Sequence, residues 1–139
     1  MSLESVMAAL LRGLLIVGLL VSAAVHLERW FAGFRNITST FGGQEYFIIG
    51  PLFLVNVVAG VVIAIAVLAW RHWLPLLAAL GFGAGTLAAF FADRTVGLFG
   101  DPSPLVWRAP ETVAAVAELL CIVCAGWLLL QRGRARERR

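Results

Sequence analysis

Four long apolar runs, roughly residues 8–27, 51–70, 75–92 and 111–130, leave few folds open to this chain. A bilayer core about 30 Å thick is crossed by about 20 helical residues rising 1.5 Å each, so each run has the length of one span. A backbone surrounded by hydrocarbon must pair its own polar groups, which restricts it to helices or a closed barrel. A barrel would read as shorter alternating segments, and none occurs. The expectation is an all-α integral membrane protein, a four-transmembrane-helix bundle forming a single domain over residues 1–139. Composition agrees: 61% of residues are hydrophobic and 14% charged, against about 45–50% and about 25% in a soluble domain. That gap excludes an ordinary soluble enzyme, a disordered chain and a disulfide-stapled secreted module.

The ends of the runs carry the topology. Pro51, Pro75 and Pro110 stand at or just before the first turn of the last three, where the backbone N–H has no intrahelical partner anyway. All eleven basic residues are Arg, and five of them crowd the tail over residues 131–139. Arg12, Arg71 and the five tail arginines would lie on one side, with Arg29, Arg35, Arg94 and Arg108 on the other. The basic excess predicts both termini in the cytoplasm, with the tail against anionic headgroups rather than nucleic acid. Trp30, Trp70, Trp73, Trp107 and Trp127 fall near predicted interfaces, as amphipathic indoles do. The connection Arg71-His72-Trp73-Leu74 is short enough to force spans two and three into an antiparallel hairpin. The two longer connections open on acid–arginine pairs, Glu28-Arg29 and Asp93-Arg94, and pass through Gly33-Phe34 and Gly97-Leu98-Phe99-Gly100, a faint two-fold repeat.

Lesser motifs are read structurally. Val21-Ser22-Ala23 has the small residues of a signal-peptide cleavage site, but Glu4 precedes it with Arg12 the only basic residue, so the first run is taken as a retained span. Cys121 and Cys124 share one helix face without the other ligands of a zinc or haem site, and are assigned to the core. Gly81, Gly83 and Gly85 with Ala78, Ala84 and Ala88 give span three a small-residue surface, and Gly81 and Gly85 form a GxxxG pair, for close packing within the bundle or between two copies. Asn36-Ile37-Thr38 matches a glycosylation sequon, a pattern too common to use.

Polar residues inside the spans are costly and tend to mark function. Glu118 lies seven residues after Glu111, about 10 Å below the boundary, and Asn56 lies about 7–8 Å below Pro51. His26 ends span one with Ser22 a turn deeper, Thr86 sits in the outer half of span three, and Asp93 and Arg94 close it. The expectation is an outer-facing pocket ringed by His26, Asn56, Asp93 and Glu118, one from each span, with Ser22, Glu28, Thr86 and Arg94 in secondary positions. A carboxyl at the depth of Glu118 calls for a partner, which His26 or Arg94 could supply. The competing reading is a polar clasp that fixes helix register and holds no ligand. His26 and His72 fall on opposite faces, so one haem cannot take both. No metal-ligand spacing, phosphate-cradling glycine motif or nucleophile elbow occurs, and no catalytic, metal or cofactor site is assigned.

The runs Val25-His26-Leu27-Glu28-Arg29-Trp30, Gly33-Phe34-Arg35 and Gly50-Pro51-Leu52-Phe53-Leu54-Val55-Asn56 resemble a group of small four-helix membrane proteins of high-GC actinobacteria, similar in layout to DoxX-like proteins. The resemblance implies a bacterial inner-membrane bundle and brings no agreed activity. A second likeness, to small multidrug transporters with one intramembrane Glu, departs in position: theirs is in the first span, Glu118 in the last. Three roles follow. The first is a non-catalytic accessory subunit or lipid- or small-molecule-binding component, working among membrane lipids in a larger membrane complex or as a homodimer. The second is a small proton-coupled transporter switching on Glu118. The third is a quinone- or haem-handling subunit using His26 and Glu118.

Overall fold

The computed structural model describes residues 3–36, 38–41, 44–97 and 108–137. Four helices make the body: α1 over Leu3–Phe31, α2 over Ile49–Ala69, α3 over Trp73–Val96 and α4 over Ala109–Glu137. Each is long and apolar enough to cross a membrane. Helices α1, α3 and α4 outrun the apolar stretches that identify them, because arginines and acids at their ends continue the helix beyond the hydrophobic stripe, whereas α2, with no charge in its first or last turn, keeps close to its run. Glu28-Arg29 and Asp93-Arg94 are therefore helical rather than the start of loops, and the basic tail is an extension of α4 through Glu137.

Local chemistry explains the remaining boundaries. Pro51, Pro75 and Pro110 all fall within first turns. The link between α2 and α3 is only Trp70-Arg71-His72, since Trp73 and Leu74 already belong to α3. His72 caps that helix, its Nδ1 accepting from the Leu74 N–H at 3.3 Å. At the other end α3 stops at Gly97, in the left-handed region (φ 68°), with its N–H on the Asp93 carbonyl. The connection from α1 to α2 contains a 3-10 turn, Phe34–Asn36, and a small antiparallel hairpin, β1 Ser39–Phe41 with β2 Gln44–Tyr46, which the helical reading did not anticipate. The calls on Trp107, Leu98-Phe99-Gly100, Arg138, Arg139 and Ile37 of the sequon lie outside the described residues.

Helix α1 packs along α2 and α4, and α4 along α3, while α2 and α3 meet far more sparsely. Close seams rest on glycine. A Cβ on Gly83 would stand 2.7 Å from the Glu118 carbonyl oxygen, and one on Gly18 would stand 3.0 Å from that of Ala117, so the backbone of α4 is approached from two sides. Gly81 and Gly85 do not share in this: a Cβ on either meets nothing within 4 Å. At 100° per residue Gly83 lies on the opposite side of α3 from both, so the GxxxG face points away from the seam.

The two halves of the bundle differ. Leu15, Leu19, Val67, Leu76, Cys121 and Cys124 are almost fully buried and belong to the core, which runs from the middle of the bundle toward the end that carries both termini. Most polar groups within the helices lie toward the far end. Val58, Val62, Ile65, Leu68, Val116 and Val123 project outward and are exposed, a surface suited to lipid rather than water.

Candidate functional site

Toward the far end the helices enclose a cavity of about 450 Å³, within the range of small-molecule sites. Its walls are mostly apolar, and every helix contributes. His26, Asn56, Asp93 and Glu118 all line it, as do Thr86 and Arg94. Ser22 is buried behind Glu118 instead of lining the cavity. Glu28 is exposed and lies outside it. Two residues past His26 on a helix, Glu28 is rotated about 200° away, whereas Arg29, at i+3, returns to the same face.

The polar groups are arranged in tiers. In the deeper tier the hydroxyl of Ser22 donates to Glu118 Oε1 at 3.3 Å. Glu118 is 2% exposed, and its partner is Ser22 rather than His26 or Arg94. His26 is occupied locally: its Nδ1 lies 2.8 Å from the Ser22 carbonyl. A carbonyl only accepts, so Nδ1 carries the proton in this contact. Its ring leans on Phe53 at 5.2 Å between centroids. At the rim, Arg29 Nη2 donates to Glu111 Oε1 at 2.7 Å, an ion pair with side chains 19% and 11% exposed. Ser22 to Arg29 and Glu111 to Glu118 are both seven-residue steps, two helical turns or about 10 Å. Thr86 and Asp93 repeat the step on α3.

Between α2 and α3, Asn56 Nδ2 donates to Thr86 Oγ1 at 3.1 Å, while that hydroxyl donates to the Phe82 carbonyl at 2.8 Å. A threonine hydroxyl has one proton. Spending it on Phe82 makes Thr86 an acceptor toward Asn56, which fixes the amide's orientation and leaves Asn56 Oδ1 over. This is one of three buried side-chain polar atoms without a hydrogen-bond partner among the described residues; the others are Arg94 Nε and Glu111 Oε2. All three residues line the cavity. The Arg94 guanidinium sits over the Phe90 ring at 5.4 Å.

The cavity also has a direction. Its exposed lining residues, Leu52, Val55, Gly81 and Gly85 among them, belong to α2 and α3, whereas those from α1 and α4 are buried or half-buried. It therefore opens sideways through the sparse α2–α3 seam. The residues missed from sequence are Arg29, Glu111 and the aromatic walls Phe53, Phe82 and Phe90. Seven-residue recurrence of polar positions was the available signal for the first two. The aromatics carry no signal that separates wall from core. Compared with known proteins, the chain matches no family model, no curated protein and no solved structure.

Proposed function

We propose that this protein is a non-catalytic multi-pass component of a bacterial inner membrane that binds a lipid-like amphiphile in the far half of its bundle. The observation that carries the reading is the set of three orphaned polar atoms on one apolar cavity. Buried polar groups are almost always paired, and leaving one unpaired costs about 1–3 kcal/mol. Asn56 Oδ1 and Glu111 Oε2 need donors, and Arg94 Nε needs an acceptor. A hydroxyl-bearing head group supplies both at once, and a chain or ring system behind it suits the apolar walls. The side opening matches a ligand that arrives from the bilayer. With both termini on the cytoplasmic side, the cavity lies in the outer leaflet. The likeness to small actinobacterial four-helix proteins agrees with the location and supplies no ligand.

The test is lipid analysis of protein purified in mild detergent, with Gly85→Leu as the comparison. A side chain there meets open space at the mouth, so it obstructs entry without straining the fold. The wild-type protein should carry a hydroxylated amphiphile that the variant loses, while the unfolding midpoint of the ligand-free variant is no lower than that of ligand-free wild type. A wild-type cavity holding water alone, or equal ligand in both proteins, refutes the reading.

Proton-coupled transport is the second reading, favoured by one observation: the carboxyl of Glu118 is buried beside the cavity with a single hydroxyl partner. Glu118→Gln keeps the shape and removes the titration. Loss of pH-dependent ligand binding in that variant supports transport, and unchanged pH dependence rejects it.

A further inference from the structure

The opposite end of the bundle gathers positive charge for which the cavity has no use. Arg12 on α1, Arg71 in the α2–α3 link and Arg132 on α4 come together from three separate elements, with Arg71 and Arg132 both within electrostatic reach of Arg12. No carboxylate pairs with any of them among the described residues. Like charges do not collect without a reason, and part of the reason is visible. Helix α2 has no basic residue in its own last turn, so its C-terminal carbonyls, the negative end of the helix dipole, are served from outside. Arg12 Nη1 donates to one of them, the Val67 carbonyl, at 2.7 Å, while Arg132 Nη2 donates to the Arg71 carbonyl in the link just beyond the helix.

That duty anchors two guanidiniums and leaves most of their donors over, since each has five N–H groups. It gives no role to the third. The Arg71 side chain is exposed and makes no hydrogen bond or ion pair with the described residues; only its backbone carbonyl is used. Two cations are thus held in place by backbone contacts, with a third exposed beside them, the kind of cluster that suits a tetrahedral oxyanion. Guanidinium matches phosphate oxygens bidentately. The flanking Trp70 and Trp73 are exposed, as indoles at a membrane–water boundary are.

We infer that Arg12, Arg71 and Arg132 form a binding site for a phosphate group, carried by an anionic phospholipid head or free in solution. The site rests on the chain being embedded in a bilayer and is independent of the cavity ligand. It differs from diffuse attraction to the basic tail, because it depends on three positions drawn together by the fold and not on total charge.

The experiment places the full chain in phosphatidylcholine nanodiscs doped with phosphatidylglycerol and measures, by native mass spectrometry, which lipid stays bound. The decisive variant is Arg71→Gln, which removes a guanidinium without removing a hydrogen bond, and its unfolding midpoint should match wild type. Arg134→Gln, on the exposed basic extension of α4, removes the same charge elsewhere. Wild type should enrich phosphatidylglycerol, Arg71→Gln should lower that enrichment at least about tenfold, the worth of a hydrogen bond to a charged group, and Arg134→Gln should lower it much less. Persistence of the bound lipid in excess inorganic phosphate identifies the lipid head as the source, and displacement identifies a phosphate that is also taken from solution. A wild type that neither enriches the lipid nor binds inorganic phosphate, or equal losses in the two variants, overturns the proposal.

Discussion

Replacing Gly81, Gly83 and Gly85 one at a time by alanine separates two uses of small residues on α3. A Cβ at position 83 falls 2.7 Å from the Glu118 carbonyl oxygen and 3.2 Å from the Cys121 Cβ. An ordinary carbon–oxygen approach is about 3.3–3.6 Å, so about 0.6 Å of separation must be found. Both obstacles belong to or sit close on the α4 backbone, so relief requires moving one helix off the other, at about 1–3 kcal/mol for overpacking. Alanine returns about 0.8–1.0 kcal/mol in helix propensity. Gly83→Ala should therefore cost a net of about 0–2 kcal/mol. At positions 81 and 85 the added Cβ meets nothing within 4 Å, so propensity alone acts and each variant gains up to about 1 kcal/mol. The separation between the two classes is the overpacking cost itself. Reversible unfolding in mixed micelles with rising sodium dodecyl sulfate measures it. Equal destabilisation at all three positions, or the full propensity gain at Gly83, would refute the reasoning, since either means that α3 does not meet α4 through Gly83.

Two further perturbations probe the polar tiers. Ser22→Ala strands the buried Glu118 carboxyl and should cost about 1–3 kcal/mol, whereas adding Glu118→Leu to it should restore most of that loss, because removing both partners removes the desolvation penalty; a double variant no better than the single one contradicts the pairing. At the rim, Arg29→Ala and Glu111→Ala should each lower stability by about 1–2 kcal/mol, discounted for partial exposure. Their double-mutant cycle should show coupling of at least about 0.5 kcal/mol, and strict additivity would mean that the ion pair does not form.

The four helices were legible because span length and hydropathy are set by local composition. Proline in three first turns was legible for the same reason. The hairpin in the α1–α2 connection was not, since Ser39–Phe41 and Gln44–Tyr46 are three-residue strands with too few positions to display alternation. The residues of the candidate site were largely readable, because a polar side chain in an apolar run stands out whatever its partner. Their pairing was not. Charge alone points Glu118 toward His26 or Arg94, whereas the fold gives it Ser22, for burial rewards a near neighbour at the same depth. Gly81, Gly83 and Gly85 look alike as packing residues in the sequence, because small size permits a close approach without saying which face of the helix makes it. Only the position of α4 behind Gly83 decides that question.

The sideways mouth follows from how the bundle is closed. A link of three residues holds α2 and α3 together at the termini end, where Val67 and Leu76 are fully packed. Nothing comparably short joins them at the far end: α2 is entered from the hairpin connection, and α3 leaves through Gly97. Meanwhile α1 grips α2 through Gly60, whose added Cβ would stand 3.2 Å from the Leu19 carbonyl oxygen, and α4 grips α3 through Gly83. Each of the two helices is thus bound tightly to a different neighbour, and the pair is free to diverge with distance from its link. The Asn56–Thr86 hydrogen bond spans that divergence instead of an apolar seam. An amide and a hydroxyl can bridge a gap that methyl groups would need to close, and the same bond leaves Asn56 Oδ1 over in the space so kept. Cavity, mouth and unpaired acceptor thus share one cause: the sparse packing of α2 against α3.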